Sequence, residues 1–387
     1  MGATADVGAP RVGASLSLHE RWIRVRNRLI ASPAFQRWAA KSPLTRMIAR
    51  RRARQLFDIC SGFVYSQVLL ACVRLRLFEF LAQGPRDVEA ISRHFGMPRD
   101  PTTRLLRAAA ALGLTRALPG DRYVLDELGA AMLGNPEIAP FIEHNALLYD
   151  DLRDPVALLR GEVSTRLGQF WPYAADRPRE RGAHLESEDY GAYSALMSRT
   201  QSLVNQDILD AYRVANHARM LDVGGGEGAF VAAAAARAPR LKFALFDLPP
   251  VAERARARLE ALGLASRVDV VGGSFLDDPL PRGADLVTIV RVLHDHDDES
   301  ALSLLRAARA ALIRGGTVLI GEPMSGARGA EPMGDAYFGF YLLAMGRGRP
   351  RSAAEIAALL RAAGFGAVRE LTTRRPMLAS ALIGRAT

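Results

Sequence analysis

Two cysteines, two lysines and little unbroken apolar sequence set the first limits on this chain of 387 residues. The cysteines are Cys60 and Cys72. On one helix they would stand about 18 Å apart, beyond disulfide reach. A disulfide scaffold is therefore excluded, and a reducing, cytoplasmic setting fits. The apolar stretches 63–73 and 228–236 stop at Arg74 and Arg237, each short of the roughly 20 residues a spanning helix needs. No spanning segment is expected. Residues 1–17 also lack the basic start, apolar stretch and cleavage site of a secretory signal. Lysine is nearly absent, with Lys41 and Lys242 among 51 basic residues. Such a bias reflects genome composition more than selection at each site.

What is present is ordinary globular sequence, 49% hydrophobic and 24% charged, which sets aside collagen-like, coiled-coil and disordered classes. The net charge of +10 is concentrated at one end. Residues 1–55 hold twelve Arg or Lys against Asp6 and Glu20, so the rest of the chain is neutral. Within 18–31, Trp22, Val25 and Leu29 recur at helical spacing beside Arg21, Arg24 and Arg28, a basic amphipathic helix stopped near Pro33. A second basic helix is expected over 42–56, then a long apolar helix over 56–81. Shorter helices near 87–94 and 100–112 precede two extended stretches around Pro119-Gly120, the outline of a winged helix. The expected division is a basic tail (1–55), a winged-helix-like domain (56–135), a helical linker and pocket region (136–215) and a catalytic domain (216–387).

From residue 219 strands alternate with helices, which implies a parallel sheet. Strands are expected at 219–223, 242–246, 268–271, 285–293, 317–321, 368–372 and 378–383. The last two lack an intervening helix, so the final strand should run antiparallel. The fold class is α/β, a seven-stranded Rossmann-like sheet behind a helical domain.

The sharpest local signal is LDVGGGEGAF at 221–230, where a buried strand ends in glycines and a helix begins. Asp247, in LFDLP, stands at the end of the second strand, where a carboxylate can accept from a ribose diol. A dinucleotide would want glycine at 229, which is Ala, and a nucleoside triphosphate would want Gly-Lys-Ser/Thr. The remaining candidate is a phosphate-free nucleoside, S-adenosylmethionine. After the fourth strand comes VRVLHDHDDES. His294 there can take a proton from a nucleophile, while Asp297 and Asp298 start the next helix. A metal reading of the His-Asp cluster is set aside on that ground. His296 is left between an exposed, a stacking and a catalytic role. Glu322, in IGEPM, ends the fifth strand and can hold the imidazole of His294 in one tautomer.

LDVGGGEGAF, FDLP, LHDHDDE and GEPM, in this order behind a winged-helix-like segment, resemble the dimeric O-methyltransferase family across about 55–385. The resemblance implies a homodimer formed through the N-terminal domain and S-adenosylmethionine as cofactor, leaving as S-adenosylhomocysteine, with no metal. It places the general base on His294, with Asp295 beside it and Glu322 in support. Cofactor positions fall on Gly224, Asp247, Ser274 and Phe275, with Asp222, Gly226, Gly228, Leu248 and Arg291 around them. There are departures. Plant members carry Asp-Met at Ser274-Phe275, Lys at Val290, Trp at His296 and a second supporting Glu on or beside Pro350, so this is not a phenylpropanoid-type site.

The stretches RNRLIASPAFQRWAA, ARRRARQLFDICSGFVYSQVLLACV and LLAMGRGRPRS are closer to the carotenoid branch of the family in purple photosynthetic bacteria. That branch methylates the C-1 tertiary hydroxyl of acyclic carotenoids of the demethylspheroidene type. A long polyene needs an apolar pocket with polar groups near the methyl. Tyr337, Phe338, Tyr341 and Met345 in 333–345, with Tyr193 and Met197, are candidates for its wall. The alternatives are a bacteriochlorophyllide or phenolic and polyketide methyltransferase and, more remotely, a DNA-binding regulator. The expected recognition helix carries only Arg104 and Arg107, so no nucleic-acid partner is expected. The basic tail has two readings, contact with an anionic membrane face and packing on the dimer partner.

Overall fold

The computed structural model describes residues 17–170 and 201–387. They divide into two compact units between Ala131 and Met132. Tyr193 and Met197 lie outside the described residues.

The first unit begins with α1 (Leu18–Ala31), which a capping box of Ser17 and Glu20 opens. α2 (Pro33–Lys41) follows, with Pro33 in its first turn. α3 (Arg46–Arg74) then runs unbroken through residue 56, where two helices were expected. No Gly or Pro interrupts 46–61, so the basic and apolar segments share one rod. Its break comes at Arg76, in the left-handed region at φ +54°. Because residues 56–73 carry a single charge, Asp58, α3 is long and apolar enough to cross a membrane by length and composition alone. This corrects the expectation drawn from 63–73.

After α4 (Leu77–Ala82) come β1 (Arg86–Asp87), α5 (Val88–Phe95), α6 (Arg99–Ala111), β2 (Thr115–Leu118) and β3 (Arg122–Leu125). The strands form a small sheet in the order β1-β3-β2. Pro119-Gly120 turns the antiparallel β2–β3 hairpin as its composition indicated. Leu77, Leu81, Ile91 and Leu106 are buried in this unit, whereas Phe57, Ile59, Phe63 and Val64 of α3 are exposed.

α7 (Glu127–Gly134), α8 (Ile138–Asp151), α9 (Pro155–Leu159), α10 (Arg166–Phe170) and α11 (Ser202–Ala211) lead into the large sheet. There follow β4 (Arg219–Val223), α12 (Ala229–Arg237), β5 (Lys242–Asp247), α13 (Pro249–Ala261), β6 (Val268–Gly272) and β7 (Ala284–Val290). The chain ends with α14 (Asp298–Ala311), β8 (Leu312–Glu322), α15 (Gly339–Met345), α16 (Ala353–Ala362), β9 (Phe365–Leu371) and β10 (Ser380–Ala386). The strand order is β6-β5-β4-β7-β8-β10-β9. β10 runs antiparallel to both neighbours, as the short 373–377 connection required.

Both faces of this sheet are covered, which suits the continuous apolar reading of its central strands. Leu304, Leu305, Ile356 and Leu360 of α14 and α16 pack on one face. Ile208, Phe230, Val231 and Leu259 of α11, α12 and α13 pack on the other. β4 pairs with β5 on one side and β7 on the other, so strand order reverses there and a crevice opens beyond the carboxyl ends.

Candidate active site

β4 delivers the glycine loop to that crevice. Gly224, Gly226 and Gly228 all take positive φ. At Gly224 (φ +68°) a Cβ would stand 2.6 Å from Val292 Cγ2, so only glycine fits. Above Gly226 nothing lies within 4 Å of a built Cβ, which leaves room for a ligand against the backbone. Asp247 Oδ2 accepts the Gly226 N–H and Oδ1 accepts the Leu248 N–H, both at 2.7 Å. Each oxygen keeps a lone pair for a further donor. Burial pushes the Asp247 carboxyl up to about 6, against the pull of the two N–H groups.

Asp222 is 1% exposed. Its Oδ1 accepts from Thr288 Oγ1 at 2.5 Å, and burial raises its carboxyl to about 7. Its Oδ2 is buried with no hydrogen-bond partner, an unmet acceptor under the glycine loop. An open cradle, two acceptors on Asp247 and this orphaned oxygen fit a nucleoside with a cationic tail. The loop contributes no basic side chain for a phosphate.

β7 delivers the imidazole. Past Val290 the backbone turns through Arg291, a non-glycine residue at φ +58°, whose N–H bonds Gly321 O at 2.8 Å. Strain of this kind persists where neighbours over-determine the chain. A single helical turn, Leu293–Asp295, then carries His294. Glu322, at the end of β8 and 1% exposed, fixes this turn. Its Oε1 accepts the Val292 and Leu293 N–H groups at 3.0 and 2.8 Å, and its Oε2 pairs with His294 Nδ1. The other ring nitrogen, Nε2, is 3.1 Å from Asp295 Oδ1. That contact lacks hydrogen-bond alignment, and Asp295 Oδ1 has no hydrogen-bond partner. Burial pushes the His294 pKa down, but the Asp295 and Glu322 carboxylates outweigh it and lift it to about 10.

One residue that sequence reasoning missed also holds this loop. Arg351, 2% exposed, donates to Leu293 O at 2.6 Å, His296 O at 2.7 Å and Asp298 Oδ1 at 2.8 Å. Beside it Gly348 (φ +80°) passes so close that a Cβ would lie 2.1 Å from His294 O. The run GRGRPRS before the Ser352–Glu355 capping box was the available signal, but its partners lie more than fifty residues away.

The remaining candidates separate. Phe275 meets the ring of His296 edge-on at 5.1 Å, and burial lowers the pKa of that histidine. Ser274 sits in an exposed turn with its hydroxyl on Asp277. Phe338, at the end of the π-helical turn Pro332–Phe338, stands 5.9 Å from the His294 ring. Tyr337 and Tyr341 continue the aromatic row at 5.2 and 6.3 Å from Phe338. Their hydroxyls are used internally: Tyr341 with His144 Nε2 and Tyr337 with Asn145 Oδ1, both at 2.8 Å. Burial holds His144 at about 4, hence neutral. These α8 partners carry no motif and were not foreseen. Met345 packs into a core with Leu148, Leu158 and Leu167. Among the described residues no group of three or more His, Cys, Asp or Glu is placed to hold a metal ion.

Residues 149–366 match the family model of the O-methyltransferase domain, and 57–135 match that of the O-methyltransferase dimerisation domain. The demethylspheroidene O-methyltransferase of Cereibacter sphaeroides is 44% identical over 92% of this chain and 93% of its own. The enzyme of that name from Rhodobacter capsulatus is 39% identical over 88% and 84%. The structure of the mitomycin 7-O-methyltransferase MmcR superposes with a TM-score of 0.68 at 26% identity, over 88% of this chain and all of that one. The chain belongs to the S-adenosylmethionine-dependent O-methyltransferase family with an N-terminal dimerisation domain.

Proposed function

We propose that the enzyme methylates the tertiary hydroxyl at C-1 of an acyclic hydroxycarotenoid, with His294 as general base. The observation that carries this reading is the 44% identity, over nearly the whole of both chains, to a demethylspheroidene O-methyltransferase. The aromatic row beside His294 supports it. Phe338 and Tyr337 are half-buried there, Tyr341 is buried behind them with Met345, the tyrosine hydroxyls are bonded to α8, and His144 is neutral. An uncharged wall of this kind suits a polyene.

Asp247 would hold the ribose of the cofactor, Asp222 and the glycine loop its amino-acid tail, and Phe275 with His296 its base. Bound there, the sulfonium supplies an electrophilic methyl group. The chain's part is placement and proton transfer. Glu322 holds the Nδ1–H side of His294, which leaves Nε2, beside Asp295 Oδ1, to take the proton of the acceptor hydroxyl as the oxygen–methyl bond would form and the sulfur–methyl bond break, S-adenosylhomocysteine leaving. A tertiary alcohol is too weak an acid to ionise beforehand, so position governs this step as much as basicity.

The exposed apolar residues of α3, Phe57, Ile59, Phe63 and Val64, lie in the segment matching the dimerisation model and would be covered by a second copy. Trp22 and Trp38 are exposed on α1 and α2 among arginines, which supports contact with an anionic membrane face that holds the substrate. Incubation with labelled methyl donor and a panel of hydroxycarotenoids, phenols and bacteriochlorophyllides, followed by product mass analysis, tests the assignment. A methyl ether on a tertiary carotenoid hydroxyl is expected. Turnover confined to a phenol or a chlorin would overturn it.

A further inference from the structure

At the opposite end of the sheet, where β4 and β7 begin and β10 ends, lies a cavity of about 490 Å³. It is about one strand length, roughly 17 Å, from the catalytic crevice. Arg213, Arg314, Arg369 and Arg385 line it, against one carboxylate, Asp285. That carboxylate is already engaged. It accepts the Ala218 and Arg219 N–H groups at 2.9 and 2.8 Å, and His217 Nδ1 is 3.3 Å away. His217 Nε2 in turn meets the Tyr212 hydroxyl at 2.7 Å, so the floor is a fixed Tyr-His-Asp chain.

The guanidiniums above it are different. Arg213, Arg314 and Arg369 make no ion pair or side-chain hydrogen bond among the described residues, and Arg385 uses one N–H, to Gly315 O at 3.1 Å. Arg369 and Arg385 lie on the paired strands β9 and β10, Arg369 opposite Ile383 and Arg385 opposite Gly366. Some arginines elsewhere in this unit are matched, as in Arg254–Glu227, Arg375–Asp207 and Arg351–Asp298, and others, such as Arg240, Arg282 and Arg306, are exposed to solvent. Four exposed arginines lining one cavity, with one counter-charge that is already occupied, suit a multiply charged oxyanion, and guanidinium geometry favours phosphate.

We propose that this cavity is a second ligand site, taking a phosphate-bearing anion. A free phosphate compound and the headgroup of an anionic lipid share that chemistry, and the test separates them. Full-length protein is titrated with inorganic pyrophosphate by calorimetry. It is also sedimented with vesicles of phosphatidylcholine alone or mixed with phosphatidylglycerol. The variants are Arg369→Ala with Arg385→Ala and, because Arg385 also braces Gly315, the exposed Arg314→Ala alone.

Saturable pyrophosphate binding that weakens tenfold or more in the double variant, and measurably in Arg314→Ala, supports a free phosphate ligand. Loss confined to phosphatidylglycerol vesicles supports a headgroup. S-adenosylhomocysteine affinity should be unchanged throughout. Wild type and variants binding both probes equally, or wild type binding neither, would overturn the proposal.

Discussion

Arg351 brackets His294: its guanidinium bonds the carbonyls of Leu293 and His296, the residues one before and two after the imidazole. Glu322 takes the N–H groups of Val292 and Leu293 and the ring Nδ1 of His294, so the loop is held by a buried carboxylate and a buried guanidinium. Arg351→Ala should therefore lower kcat by about tenfold to a hundredfold, the usual effect of losing a group that orients a catalytic side chain. S-adenosylhomocysteine affinity should stay near the wild-type value. Arg351→Lys should recover little, because one ammonium cannot span three acceptors in a plane. Stopped turnover with equal loss of cofactor affinity would mean collapse of the loop instead.

The two carboxylates against His294 set a pH dependence. The proposed base works in its neutral form, and the neighbouring carboxylates lift the pKa of this imidazole to about 10 in the free enzyme. kcat/KM, which reports the free enzyme, should rise with pH from 7 toward 10. Glu322→Gln removes one of the charges that lift the pKa, so its rising limb should move to lower pH while the maximal rate falls. A flat profile in wild type would contradict this.

Asp247 carries the opposite sign. Its carboxyl is raised to about 6 by burial, so its charged acceptor form is present above that pH and lost below it. Cofactor affinity by calorimetry should weaken as pH drops through 6. Asp247→Ala should weaken it by about tenfold to a hundredfold and remove the part of the pH dependence centred near 6, leaving that of Asp222 near 7.

The N-terminal helices give a separable prediction. α1 and α2 bury one residue, Ala39, between them. Deleting residues 1–40 should leave the melting temperature of the body nearly unchanged and reduce partitioning onto anionic vesicles several-fold. Equal partitioning of both forms would leave dimer packing as the role of this segment.

The catalytic half was the more legible part of the sequence. β4 was readable to the residue because Arg219 and the glycines bound an apolar run, and the antiparallel turn of β10 followed from loop length alone. β8 spans Leu312–Glu322, but Gly315 at φ +76° and the register shift opposite Ala284 and Leu286 make the turn that Gly315-Gly316 suggests, and regular pairing begins at Thr317, where the sequence places the strand. The change of charge along α3 suggests two helices, although nothing in its backbone chemistry stops a helix at residue 56.

At the site, residues at strand ends were visible, since position in the fold and position in the motif coincide for Asp247, His294 and Glu322. Arg351, His144 and Asn145 were not. Their roles come from contacts made across fifty to two hundred residues, which no local pattern encodes. The pairing of Glu322 with His294 was foreseen; the approach of Asp295 to the other ring nitrogen was not.

The most direct measurement is turnover and cofactor affinity in His294→Ala, with labelled S-adenosylmethionine and the preferred hydroxycarotenoid. The expected result is cofactor affinity within about twofold of wild type and turnover lower by two orders of magnitude or more. Wild-type turnover in this variant would remove the imidazole from the chemistry and contradict the account.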